Sequence, residues 1–134
     1  MKTYSLLLSL LMLSSVAVAQ NTGMSRDEYQ AAKTRIDAEG EADEARCKTL
    51  QGNAKDVCEE EAEGREDVAK AELEQRYKPS ARNARKVAEA KIEAAYEIAK
   101  ERCDAQTGNA KDVCEREAKT QERKAKADLR SARK

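Results

Sequence analysis

The chain has 134 residues, and its 26 Lys and Arg balance 26 Asp and Glu, so the formal charge is zero. Charged residues make up 39% of it and aromatics 3%, with no His, Trp or Phe. That composition lacks the commonest general base and the commonest metal ligand, and the charge balance argues against a nucleic-acid binder, which carries a basic excess.

The first segment has the pattern of a secretory leader. Lys2 supplies a positive start, Leu6 to Leu13 an apolar run, and Ala17-Val18-Ala19 a small-x-small cleavage site. The apolar run is shorter than the about 20 residues a membrane span needs. Gln20, not Cys, follows the cut, which argues against a lipid anchor. We expect residues 1–19 to be a signal peptide cut after Ala19, with residues 20–24 a flexible N-terminus. An uncleaved anchor is the competing reading. The expected location is the periplasm, where disulfides form and persist.

Beyond the leader, large apolar side chains are sparse and alanine supplies most of the apolar content. A core this thin is marginal without covalent staples, and the four cysteines are candidates for them.

The first helix begins at Ser25, whose hydroxyl can cap it, with Glu28 three residues on completing a capping box. Gly52 suits the left-handed position that ends this helix. Asn53 can then cap the second helix, with Asp56 in its acidic first turn. Pro79 ends the second helix, and a third starts near Ser80. Gly108, Asn109 and Asp112 repeat the turn before a fourth. Between these marks run Ala, Glu, Lys, Arg and Gln, all strong helix formers.

The second half repeats the first. Gly52-Asn53-Ala54-Lys55-Asp56-Val57-Cys58 recurs unchanged as Gly108 to Cys114, an offset of 56 residues. At that offset Ile36 meets Ile92, Arg46-Cys47 meets Arg102-Cys103, and Leu73 meets Leu129. The repeats span 25–78 and 79–134.

Within each repeat the cysteines are mirror-symmetric about the Gly-Asn bond. Cys47 lies five residues before Gly52, and Cys58 five residues after Asn53. Residues equidistant from the turn of an antiparallel hairpin face each other, so Cys47 should pair with Cys58, and Cys103 with Cys114. Closing so short a loop contributes about 3 kcal/mol when unstrained. The same mirror sets Ile36 against Ala69 and Ala32 against Leu73, large against small. It also sets Tyr29 against Arg76, a cation–π geometry. Gly40 is costly inside a helix. It is read either as a drifted repeat position or as room for a bulky neighbour such as Tyr96.

The expected fold is therefore all-α, two tandem disulfide-stapled antiparallel helical hairpins. Residues 25–78 carry 16 acids and 10 bases, a net of −6; residues 80–134 carry 10 acids and 15 bases, a net of +5. These complements could dock as a four-helix arrangement, pair head to tail between molecules, or stay apart as solvated arms.

The leader, the Met-Ser-Arg-Asp-Glu-Tyr start and the twin Cys-x10-Cys units carrying Gly-Asn-Ala-Lys-Asp-Val-Cys resemble a group of small uncharacterised proteobacterial exported proteins. Some members are labelled TolA-like or cell-envelope biogenesis proteins. The resemblance covers nearly all of the chain after the leader. It implies an envelope location and transfers no functional residue.

No catalytic, cofactor or metal site is expected. A redox catalyst usually carries Cys-x-x-Cys at a helix start, whereas each pair here is Cys-x10-Cys among acids that oppose thiolate formation. A zinc site would have to join cysteine pairs 56 residues apart, without histidine. The stretch Lys119–Lys134 holds seven bases against Glu122 and Asp128, which suits weak contact with an anionic envelope surface. The reading is a non-enzymatic periplasmic helical protein, without cofactor or nucleic acid. It would be an envelope structural, stress-protective or protein-interaction module whose partner is an unknown protein or itself. The alternative is a thiol–disulfide redox protein or sensor.

Overall fold

A computed structural model describes residues 23–132; the expected leader, residues 20–22 and the last two residues lie outside the described part. Four helices and no strand are found among the described residues. They are α1 (Arg26–Cys47), α2 (Asn53–Tyr77), α3 (Ala81–Cys103) and α4 (Gly108–Ser131). None is long and apolar enough to cross a membrane.

The helix starts follow local chemistry. Ser25 Oγ accepts from the Glu28 amide and the Glu28 carboxylate accepts from the Ser25 amide, so the capping box is complete. Ser80 Oγ accepts from the Asn83 amide at 3.0 Å and caps α3. Lys78-Pro79-Ser80 separates α2 from α3, as proline requires.

Both staples form. Cys47 bonds to Cys58 with Cα atoms 5.4 Å apart, and Cys103 to Cys114 with Cα atoms 5.6 Å apart. Around them the turns differ from the expected cap assignments. The first helix ends four residues before Gly52, at Lys48, where the amides of Thr49 and Leu50 bond back to the Arg46 and Cys47 carbonyls. Gly52 does take the positive φ, 58°, but as the residue that opens α2. Gly108 likewise has φ 59° and stands as the first residue of α4, after Thr107. Asn53 is the first residue of α2 rather than its cap. Asn109 is the second residue of α4, and Asp112 falls just past that helix's first turn, whereas Asp56 lies within the first turn of α2. The physical reason is shared: short 3₁₀-type turns tighten the helix C-termini early, so the left-handed glycine is used to enter the next helix instead.

The hairpins dock through α2 and α3. The helices run up, down, up and down; α1 packs on α2, α2 on α3 and α3 on α4, and no other pair meets among the described residues. The result is an open layer rather than a closed four-helix bundle. Both stapled turns lie at one end of this layer, and the Lys78–Ser80 turn at the other.

Three features hold α2 to α3. Gly64 permits a close approach, since a β-carbon there would lie 2.7 Å from Ala94 Cβ. Glu61 pairs with Arg102 at 2.6 Å and Glu72 with Lys91 at 2.6 Å. The Asn53 side-chain amide donates to the Glu101 carbonyl at 2.6 Å, so the residue expected to cap its own helix instead ties the first turn to the end of α3. The exposed ion pairs add little stability but fix register.

Gly40, by contrast, makes no room for Tyr96. It faces Glu66 of α2, across the first hairpin. Nor does Tyr29 meet Arg76. Its ring stacks on Tyr77 with centroids 4.4 Å apart, and its hydroxyl bonds to Glu74. Cations lie over other aromatic faces, Lys78 over Tyr77 at 5.2 Å and Lys119 over Tyr96 at 4.6 Å.

The core is as thin as the composition requires. Cys47 and Cys103 are fully buried, and Ala62, Leu73 and Ala118 are buried as well. Glu122 is a buried acid, 7% exposed, held between Lys119 at 2.7 Å and Lys126 at 2.5 Å. Those two ammonium groups lower its pKa below the ordinary glutamate value, despite burial.

Candidate functional site

An open layer leaves one face of α2 without a covering helix. In a closed bundle α4 would fold across to α1; here it does not, and a groove of about 650 Å³ runs between α1 and α3 over α2. Apolar side chains line it from all three helices: Ile36 from α1, Ala62, Val68 and Ala69 from α2, and Ala94 and Ile98 from α3. The expected facing pair Ile36 and Ala69 both line this groove.

Its charged residues are mostly committed to each other. Arg65 binds the Asp43 carboxylate through both Nε, at 3.1 Å, and a terminal nitrogen, at 2.9 Å, along the α1–α2 seam. That guanidinium, with Arg46 nearby, holds the Asp43 pKa below the usual carboxylate value. Along the α2–α3 seam, Glu72 pairs with Lys91. Neither His, Cys, Ser nor Thr lines the groove. What the arrangement can do is bind: an apolar bed with paired charges at its edges suits an apolar strip on a partner.

The other side of the α2–α3 seam is different. There Glu60, Glu63 and Asp67 of α2 face Glu89, Glu93 and Glu97 of α3, over a floor of Gly64, Ala90 and Ala94. Burial, then the neighbouring carboxylates of Glu63, Glu101 and Glu97, raise the pKa of Glu60. No group of three or more Cys, Asp or Glu among the described residues has a geometry that could hold a metal ion.

Each disulfide has one covered and one half-buried cysteine, Cys58 and Cys114 being the half-buried ones. Cys47 and Cys103 are each 0% exposed, and no cysteine is free among the described residues. Sequence reasoning paired Cys47 with Cys58 and Cys103 with Cys114, as the structure has them; that both pairs lie at one end of the layer emerges only from the docking of α2 on α3. Sequence reasoning missed the groove, whose signal was available: Ala94 and Ile98 are spaced four apart on α3 and left unused by the mirror pairing of that helix with α4.

Comparison with known proteins adds no relative: no family model, curated protein or solved structure matches the chain.

Proposed function

We propose that this chain is a non-enzymatic helical module of the bacterial periplasm that serves the cell envelope as a structural, stress-protective or interaction element, and that its groove over α2 is the face that takes a protein partner. The groove is the observation that carries the reading. It is apolar within, edged by paired charges, and walled by two hairpins that disulfides hold in shape. Two disulfides are what an oxidising compartment favours, and the leader pattern of residues 1–19 agrees with export. The resemblance to exported envelope proteins points the same way. Full burial of Cys47 and Cys103 leaves only the half-buried Cys58 and Cys114 open to exchange, which weighs against the thiol–disulfide alternative.

A photo-crosslinking side chain at Ile98, in the groove, and another at the exposed Glu44, outside it, test the reading in living cells. The expected result is a discrete adduct from position 98 in the periplasmic fraction, absent from position 44, on a chain whose N-terminus is Gln20. A chain retained in the cytosol with its leader intact, or equal crosslinking from both positions, would overturn it.

A further inference from the structure

We propose that this protein associates head to tail with copies of itself, the outer face of α4 docking on the outer face of α1 of the next copy in the manner that α2 docks on α3 within the chain. The inference goes beyond the groove reading and does not rest on it, because it uses different surfaces.

The 56-residue repeat supplies the geometry. By that offset α4 corresponds to α2 and α1 to α3, so the α4–α1 pair between two copies is the counterpart of the α2–α3 pair within one. Units that stack on neighbours in this way extend as arrays, and an array ends where its outer faces are polar and unlike the inner seam. Here the outer faces retain the seam's residues. Glu61 and Arg102, which pair at 2.6 Å, correspond to Glu117 and Arg46. Glu72 and Lys91, which also pair at 2.6 Å, correspond to Asp128 and Arg35. Asn53, donor to the Glu101 carbonyl, corresponds to Asn109, with the Ala45 carbonyl as its acceptor.

All of these counterparts are exposed. Arg35, Ala45 and Arg46 on α1 and Asn109, Glu117 and Asp128 on α4 face solvent, where Asn53, Glu61 and Glu101 at the seam are partly covered. Among the described residues Val113 is one of two exposed large apolar residues, and it corresponds to the partly covered Val57. A shallow depression on α4, lined by Val113, Arg116, Glu117, Thr120 and Gln121, lies at the positions that correspond to Val57, Glu60, Glu61, Gly64 and Arg65 of α2.

At the positions of the acidic trough, charge favours the intermolecular seam over the internal one. The internal seam contains the all-acid trough, Glu60, Glu63 and Asp67 against Glu89, Glu93 and Glu97. The corresponding residues are Arg116, Lys119 and Arg123 on α4 and Lys33, Asp37 and Glu41 on α1. Three bases thus meet two acids and one base. Over whole helices, α1 has four bases and seven acids, a net of −3, while α4 has seven bases and five acids, a net of +2.

One residue limits the fit. Thr120 stands where Gly64 allows the close approach, opposite Ala38 in place of Ala94. The copies must therefore sit farther apart than α2 and α3, which makes the association weak and dependent on concentration and salt. The contact is heterologous, so it builds open chains rather than closed rings unless its rotation closes.

Sedimentation equilibrium of the oxidised protein tests this, with circular dichroism and disulfide mapping confirming that each variant is folded. At low salt and millimolar protein the weight-average mass should at least double over that of the monomer. In 1 M salt, where the screening length is about 3 Å, it should return to monomer. Glu117→Arg with Asp128→Arg should abolish association, as should Arg35→Glu with Arg46→Glu, and mixing the two double variants should restore it. Thr120→Gly should tighten it. A wild-type protein monomeric at every concentration would overturn the proposal, as would association indifferent to both double variants. So would a monomer that instead sediments with anionic vesicles through Arg116 and Arg123, which would assign that face to a lipid surface.

Discussion

Gly64 of α2 lies against Ala94 of α3 so closely that a β-carbon on the glycine would stand 2.7 Å from the alanine Cβ and 3.5 Å from its Cα. Neither atom can move without moving α3. Gly64→Ala should therefore lower stability by about 1–3 kcal/mol, the usual range for overpacking, even though alanine favours a helix. Gly40→Ala should behave oppositely. Its nearest obstacle is the carboxylate of Glu66, the end of a flexible side chain, and the helix gains up to about 1 kcal/mol. Thermal unfolding of the two variants side by side checks the contrast.

Cys47→Ser with Cys58→Ser should cost about 3 kcal/mol, and the same should hold for Cys103→Ser with Cys114→Ser. With both pairs removed, a chain with this little core should lose its cooperative melt. With Cys47 and Cys103 covered, both disulfides should also resist the glutathione pool, with reduction potentials below about −300 mV; values near −200 mV by redox titration would contradict this.

Two glutamates should respond to pH with opposite signs. The Glu60 pKa is raised by burial and by neighbouring acids, so its ionisation opposes folding; its unfavourable contribution disappears as pH falls through the raised value. Glu60→Gln should stabilise the protein at neutral pH and lose that advantage in acid. The Glu122 pKa is lowered by Lys119 and Lys126, so its contribution is full above the ordinary glutamate value and is lost as pH falls through the depressed one. Glu122→Gln should destabilise at neutral pH, with the gap closing in acid. Denaturant titrations of both variants between neutrality and strongly acid pH measure these slopes.

At the unstapled end of the first hairpin, Tyr77→Ala should remove the stack with Tyr29, an interaction of about 0.5–1.5 kcal/mol beyond area burial. Tyr29→Phe should cost less, since it keeps the ring and loses only the bond to Glu74. Hydrogen exchange in the first turn of α1 should quicken more in the former variant.

The helices, the turns and both sulfur pairs were legible in the chain because each rests on local spacing: a cap, a proline, a duplicated heptapeptide, and cysteines equidistant from a bend. Tyr29 meeting Tyr77 rather than Arg76 shows where such counting loses accuracy. The mirror is anchored at the disulfide, and helices that cross at an angle drift out of register by a residue at their far ends. Docking between the hairpins was harder to read for another reason. Gly40 and Gly64 both interrupt good helices, and only the neighbour decides their roles: a movable carboxylate beside one, an alanine backbone beside the other. The spacing of Ala94 and Ile98 marks one wall of the groove over α2, but the groove itself depends on two helices failing to meet, which no single segment encodes.

Placing both covalent links at one end of the layer makes the molecule mechanically uneven. Asn53 fastens the two locked turns to each other, so that end behaves as the palm of a hand, and the four helices extend from it as fingers roughly 35 Å long at about 1.5 Å per residue. Lys78–Ser80 joins the tips of α2 and α3, so thermal motion should splay the free ends of α1 and α4 while the palm stays rigid, α1 widening the mouth of the groove without unfolding any helix.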